Sequence, residues 1–237
     1  MTDTTYPVAS GTLPAYLAVP TTPGPWPGVV VLHEIFGLND DIRAQADRFA
    51  ERGYLAIAPD LFAWSATPRC LVASFKAMAK GEGRLFDDVE GARQFLLGRD
   101  DCTGSVGVIG FCFGGGLAML VAPKGFAVSA PNYGHLPRKP EQVLSGSCPT
   151  VASYGARDWT LKGTAPKLEA ALTTLGVEHD VKEYATAKHG FLFEHTGKTA
   201  WSDPWMVSYD AASADDAWQR IFSFFDRHLN AADKSGA

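Results

Sequence analysis

A cysteine stands at the centre of the most distinctive motif in the chain, Gly110-Phe-Cys-Phe-Gly114. The apolar run 105–109 precedes this motif, and the stretch 115–122, two glycines followed by apolar residues, follows it; this predicts a buried strand turning sharply into a helix. A nucleophile at the apex of such a turn is a nucleophile elbow, here with the thiol of Cys112 in place of a hydroxyl. The flanking glycines suit a tight turn because they lack a Cβ, and the helix N-terminus favours a thiolate. A buried cysteine beside a glycine-rich turn is the structural alternative.

Two later residues complete a catalytic set in the order that an elbow requires: nucleophile, acid, histidine. Asp158 and His189 each follow a predicted strand, so both side chains are expected at the same sheet edge as Cys112. Taken singly, Asp158 could cap a turn, and His189 competes with His195 six positions later. Taken together, they predict that Cys112 attacks an acyl carbon, His189 carries the proton and Asp158 orients the imidazole.

An oxyanion developing on the substrate needs backbone N–H donors near the thiol. The N–H of Phe113, the residue after the nucleophile, is one predicted donor. A second is expected from the turn that follows the apolar run 28–32, where the sequence reads His33-Glu-Ile-Phe-Gly37.

Strand-like and helix-like segments alternate along the chain, and this pattern predicts where these residues lie. The predicted strands are 12–19, 28–32, 54–58, 105–109, 126–130, 150–154 and 178–184. One predicted helix begins near Asp40, and another directly follows the elbow. Further helices are predicted over 71–80, 85–97, about 164–175 and about 212–228.

Such alternation predicts an α/β fold with a mostly parallel sheet, helices on both faces and the active site at the carboxyl ends of the strands. With 237 residues, one domain over 1–237 is expected, with a core of about 11–229 and a flexible tail over 230–237.

Composition excludes several classes of function. The formal net charge is −5, which argues against a nucleic-acid partner. No apolar stretch is long enough to span a membrane, and the start of the chain does not resemble a signal peptide. The four cysteines lack zinc-like spacing, so no metal or cofactor is expected, and a reduced cytoplasmic location is predicted. The expected partner is a small ester or lactone, bound by a monomer or small homo-oligomer.

From about 11 to 229 the chain resembles the dienelactone hydrolase (carboxymethylenebutenolidase) family of α/β-hydrolases. The matching stretches are His33-Glu-Ile-Phe-Gly37, Ala58-Pro-Asp-Leu-Phe62, Gly110-Phe-Cys-Phe-Gly-Gly115, Asp158 and His189-Gly-Phe. The resemblance implies a Cys-His-Asp triad with Glu34 as a fourth participant beside the thiol. It also implies that Ile35 supplies the second oxyanion N–H.

The substrate-binding positions depart from the pattern of the family, whose members that cleave dienelactone hold its carboxylate with two arginines. One of these positions is Phe193 here, and Arg69 aligns only loosely with the other. Trp159 adds an aromatic side chain beside Asp158. Arg69, Phe193 and Trp159 are the candidate substrate contacts, and the two aromatic side chains favour a more apolar pocket.

Three other functions stay open. A general carboxylesterase or thioesterase would use the same catalytic residues on another acyl group. A non-catalytic ligand-binding protein on the same fold would not need all of Cys112, Asp158, His189 and Glu34. A dinucleotide-binding protein is disfavoured because no G-x-G-x-x-G motif is completed after Gly114.

Overall fold

A computed structural model describes residues 2–64, 68–196 and 209–230, without the side chains of 68–72. Its strands are β1 (Thr2–Val8), β2 (Gly11–Ala18), β3 (Trp26–Leu32), β4 (Leu55–Pro59), β5 (Cys102–Phe111), β6 (Val128–Asn132), β7 (Thr150–Gly155) and β8 (His179–Tyr184). Its helices are α1 (Asp40–Glu51), α2 (Pro68–Lys80), α3 (Arg84–Leu97), α4 (Phe113–Val121), α5 (Pro140–Val143), α6 (Thr164–Thr174) and α7 (Ala211–Leu229). A 3-10 turn covers Trp159–Leu161.

All eight strands belong to one sheet, in the order β1-β2-β4-β3-β5-β6-β7-β8. Strands β3 to β8 run parallel to one another. Strand β2 is antiparallel to both of its neighbours, β1 at the edge of the sheet and β4. The predicted α/β fold with a mostly parallel sheet is therefore confirmed.

The sheet separates two hydrophobic clusters, one on each face, and β3 contributes to both. Val29 and Val31 lie in one cluster, while Val30 and Leu32 lie in the other. Successive side chains of a strand point to opposite faces, so a strand covered on both sides must be apolar throughout. This is the reason why the central strands were visible in the sequence as continuous apolar runs.

Strand β1 was not predicted. It pairs with β2 from Thr2 opposite Leu17 to Val8 opposite Gly11, and the side chain of Tyr6 is completely buried. Its sequence is mostly polar because this edge strand buries little besides Tyr6, so it lacks the apolar pattern that identifies inner strands. The sheet therefore begins earlier than the expected core boundary at residue 11.

Other differences are smaller. Strand β5 extends beyond its predicted bounds at both ends, and α2 begins three residues earlier than expected. The predicted flexible tail falls largely on 231–237, outside the described residues.

The described helices include none that is both long and apolar enough to cross a bilayer. Within the same residues, the acidic, histidine and cysteine side chains do not cluster in a way that could hold a metal ion.

Candidate active site

The elbow between β5 and α4 has the backbone geometry that its sequence predicts. Cys112 has φ 53° and ψ −110°, a conformation that is strained for a residue with a side chain. A Cβ on Gly110 would lie 1.9 Å from the carbonyl oxygen of Gly114, and one on Gly114 would lie 2.2 Å from that of Leu32. Glycine is therefore required on both sides, because the turn packs backbone directly against backbone.

The strand β6 supports the elbow from the other side. The N–H of Cys112 donates to the carbonyl oxygen of Asn132 at 3.1 Å, and the N–H of Gly116 donates to the carbonyl of Cys112 at 3.0 Å. The Cys112 side chain is partly exposed at the strand end, in front of the first turn of α4.

Asp158 and His189 meet after β7 and β8, as their positions in the sequence predicted. The two atoms Asp158 Oδ2 and His189 Nδ1 are 2.6 Å apart, and both residues are buried. The other carboxylate oxygen of Asp158 accepts from the N–H and the hydroxyl of Thr160, at 2.9 and 2.6 Å. A backbone hydrogen bond from Arg157 N–H to Ala187 O, 2.9 Å long, joins the two loops. The carboxylate is thus fixed in place on both sides.

Cys112 lies close enough to His189 to act on its pKa, so the three side chains lie together at the sheet edge. Burial alone would lower the pKa of His189, but the interactions with Asp158 and Cys112 outweigh it and raise this pKa to about 10. Burial opposes ionisation of Asp158, yet its bonds to His189 and Thr160 leave its pKa below the ordinary value. The arrangement therefore favours a charged imidazolium between a carboxylate and a sulfur.

The predicted oxyanion donors lie on two segments held together by His33. Phe113 is the first residue of α4, where N–H groups have no acceptor in a preceding turn. The next N–H, of Gly114, donates to the carbonyl of His33 at 3.1 Å. Ile35 lies two residues further along that same loop, so the elbow and the loop are directly connected.

The ring of His33 fixes the shape of this loop. Its Nε2 accepts from the N–H of Leu61 at 3.1 Å, so its Nδ1 carries the proton and donates to the carbonyl of Glu34 at 2.6 Å. Burial lowers the pKa of His33, which keeps the ring neutral and this pattern intact. His33 is therefore a structural residue that holds the Glu34–Gly37 turn.

Glu34 is buried, and its carboxylate oxygen Oε2 lies 2.7 Å from Nε2 of His195. In the sequence, His195 is only an alternative to His189 as the catalytic histidine, and its spacing does not indicate that it would reach Glu34. Tyr133, which was also not predicted, lies against this site with its ring edge-on to His189 at 5.1 Å. Its completely buried hydroxyl has no hydrogen-bond partner among the described residues, and burial together with the charges of Glu34 and Cys112 raises its pKa.

The three candidate substrate contacts lie in different surroundings. Trp159 is 76% exposed directly after Asp158, at the rim of the site, where Ile35 is also exposed. Phe193 lies in the hydrophobic core instead, where it packs edge-on against Phe111 at 5.2 Å, so its burial does not support contact with a substrate. Arg69 lies in α2, but its side chain is outside the described part of the structure.

A cavity of about 340 Å³ lies elsewhere, between α2 and α3. None of the predicted catalytic residues lines it; its described lining residues are Leu61, Phe62, Ala73, Ser74, Ala77, Arg84, Leu85 and Asp88. The cavity is therefore separate from the thiol.

The family model of the dienelactone hydrolase family matches residues 13–229, which is most of the chain. The chain belongs to the dienelactone hydrolase family. It is accordingly an enzyme of the hydrolase class acting on ester or lactone bonds, and the resemblance seen in the sequence is confirmed.

Related proteins agree with this assignment. The chain is 30% identical to a protein of Synechocystis sp. over 90% of this chain and 91% of that protein. It is 29% identical to one of Methylorubrum extorquens over 94% of this chain and 79% of that protein. Both carry the name "Putative carboxymethylenebutenolidase".

Solved structures of dienelactone hydrolase-like proteins have the same fold. One, named "Putative Dienelactone Hydrolase" from Klebsiella pneumoniae, superposes with a TM-score of 0.79 at 27% identity, covering 95% of this chain and 98% of that one. A dienelactone hydrolase-like promiscuous phosphotriesterase from metagenomic libraries gives a TM-score of 0.79 at 24% identity, covering 96% and 98%.

Proposed function

We propose that this member of the dienelactone hydrolase family cleaves an ester or lactone without a cofactor, through a covalent acyl-cysteine intermediate on Cys112. The observation that supports this most directly is the 2.6 Å contact between His189 and Asp158, with Cys112 close enough to His189 to raise the pKa of the imidazole. This is the arrangement that activates a nucleophile: a base beside it and a third group orienting the base.

In the first half-reaction the thiolate of Cys112 attacks the acyl carbon, forming a C–S bond and a tetrahedral oxyanion. The N–H groups of Phe113 and Ile35 stabilise that charge. The intermediate collapses when the C–O bond breaks, and the imidazolium of His189 gives its proton to the departing oxygen. In a lactone the departing hydroxyl stays attached to the acyl group.

In the second half-reaction water attacks the thioester, and His189 accepts its proton. The C–S bond breaks, the acid leaves, and the thiolate of Cys112 and the imidazolium of His189 are restored. Asp158 stays ionised throughout and stabilises the charged imidazole.

The deciding experiment is Cys112→Ala assayed on a panel of small esters and lactones, together with intact-protein mass after brief exposure to each substrate. Turnover should be abolished, and the wild-type protein should gain the mass of the acyl group at Cys112. Cys148→Ala is the matched control, because burial raises the pKa of the Cys148 thiol to about 12 and leaves it unreactive at neutral pH. Turnover by Cys112→Ala close to that of the wild type would disprove the proposal.

The acyl group itself is a separate question, and one observation favours a general carboxylesterase or thioesterase. The position where an arginine would bind the carboxylate of dienelactone is occupied by buried Phe193, while Trp159 and Ile35 present apolar surface at the rim. A missing charge-assisted hydrogen bond weakens binding of an anion by about 1.5–3 kcal/mol. Comparing kcat/KM for a dienelactone with that for uncharged aryl esters and thioesters distinguishes a dienelactone hydrolase from a general carboxylesterase or thioesterase. We expect the uncharged substrates to be preferred.

A further inference from the structure

Glu34 and His195 form a buried pair, and Glu34 and Cys112 both act on the pKa of Tyr133. The distance between Glu34 Oε2 and His195 Nε2 is 2.7 Å, and the relative exposure of the two residues is 3% and 4%. A buried carboxylate is stable only with a hydrogen-bond donor, so His195 must present Nε2–H to it. The pair joins the loop after β3 to the segment that follows His189.

His195 is held in place independently of this contact. The N–H of the next residue, Thr196, donates to Asp41 Oδ1 on α1 at 3.1 Å, and its hydroxyl donates to the same oxygen. On the other side, the carbonyl of Leu192 accepts from the indole N–H of Trp218 at 3.1 Å. The segment therefore presents the imidazole to Glu34 as a fixed donor.

Several titratable groups face this pair and the thiol. Around Glu34 these are His195, the neutral His33 that donates to its backbone carbonyl, and Tyr133. Around the sulfur of Cys112 these groups are Tyr133 and His189, which in turn contacts Asp158. The charge of His189 also acts on His135. Two of these groups could donate to a released carboxylate of Glu34: the hydroxyl of Tyr133 and the thiol of Cys112.

We propose that His195 is a positioning residue that holds the carboxylate of Glu34 in its own hydrogen bond and so leaves the sulfur of Cys112 to His189. Without that donor, Glu34 turns to the Cys112 thiol, and its negative charge beside the sulfur opposes thiolate formation. This proposal rests on the proposed function only in taking Cys112 as the nucleophile.

The test measures alkylation of Cys112 by iodoacetamide as a function of pH, followed by peptide mass, which requires no substrate. His195→Asn and His195→Gln are a matched pair, because the amide of Gln extends to the position of Nε2 whereas that of Asn stops near Nδ1. We expect His195→Asn to slow alkylation at pH 7 roughly tenfold and to move its midpoint to higher pH, as a nearby like charge does. His195→Gln should stay near the wild type.

The same substitution in a Glu34→Gln background separates positioning from packing. If His195 acts through the charge of Glu34, His195→Asn should have no effect on alkylation there, with Glu34→Gln alone as the reference for that background. An equal slowing in both backgrounds, or no slowing by a folded His195→Asn variant, would overturn the proposal. If His195→Asn does not fold, His195→Phe replaces it, because a phenyl ring keeps the packing and removes the donor.

A control pair lies far from the site: His228 on α7 contacts Glu178 at 3.3 Å. His228→Asn should leave the alkylation profile unchanged. Failure of the proposed function would appear differently, as ester turnover that survives Cys112→Ala, whatever the alkylation experiment shows.

Discussion

At the scale of single residues, each oxygen of the Asp158 carboxylate has its own partner. One contacts His189 and the other accepts from Thr160, so neither can move without breaking a buried hydrogen bond. This arrangement fixes a proton on Nδ1 of His189 and leaves Nε2 for the proposed proton transfer. The proposed chemistry therefore depends on a residue that does not touch the substrate.

Asp158→Asn tests this dependence. An amide offers an N–H to the imidazole and favours the wrong tautomer, so kcat should fall by roughly 10⁴-fold, as in other triads. Steady-state kinetics on an aryl ester measure the loss. Asp210→Asn is the matched control, because Asp210 also caps a helix, accepting from Ser213 N–H at 3.0 Å, and should have near wild-type activity. A loss below tenfold for Asp158→Asn would reduce Asp158 to a turn residue.

The same contacts predict how stability depends on pH. The pKa of His189 is raised to about 10 in the folded state, so the charged imidazole stabilises the fold fully below about pH 6.5, and this contribution declines as pH rises towards 10. Urea unfolding of the wild type and His189→Gln measures it. The advantage of the wild type should be larger at pH 6 than at pH 10 by about 1.5–3 kcal/mol. An advantage that grows with pH would contradict the charged pair.

At the scale of elements, the strand–turn–helix of the elbow determines where the side chain of Cys112 lies. Strand β5 ends at Phe111, α4 begins at Phe113, and Cys112 alone makes the turn. The glycines on either side were recognisable because a turn of this kind leaves no room for a Cβ. The sequence could not show what occupies that room, which is the backbone of Gly114 and of Leu32.

Gly110→Ala should therefore prevent the elbow from forming. Its Cβ would lie 1.9 Å from a carbonyl oxygen that belongs to backbone and cannot move aside. We expect a large loss of soluble protein or a fall in melting temperature, recorded by circular dichroism, together with loss of activity. Gly98→Ala is the control, since its nearest contact is 3.4 Å away and its φ of −80° suits alanine. A stable and active Gly110→Ala enzyme would show that the turn is less tight than described.

At the scale of the whole molecule, the edge strand β1 belongs to the same sheet as the strands that lead to Cys112, Asp158 and His189, although its sequence is largely polar. Tyr6 is completely buried, and its hydroxyl donates to the backbone carbonyl of Asp88 on α3 at 2.7 Å. The strand thus covers one end of the sheet and connects it to a helix. It is a structural part of the domain, distant from the thiol.

Tyr6→Ala should accordingly reduce stability without changing the chemistry. Removing a buried aromatic side chain costs about 3–5 kcal/mol, whereas Tyr6→Phe should lose only about 1 kcal/mol with its hydrogen bond. Urea unfolding gives both values, and kcat of the folded fraction should stay near that of the wild type. A change in free energy below about 1 kcal/mol for Tyr6→Ala would mean that β1 is not packed as described.

The sequence by itself determined the α/β architecture, the elbow and the order of Cys112, Asp158 and His189, because buried parallel strands are continuously apolar and a tight turn demands glycine. Only the tertiary structure decided the pairing of Glu34 with His195, the burial of Phe193 and the place of Tyr133 against His189. These depend on which loops meet across the sheet edge. Contacts between segments distant in the chain leave no periodic signal in either segment, and so they become visible only when the chain is folded.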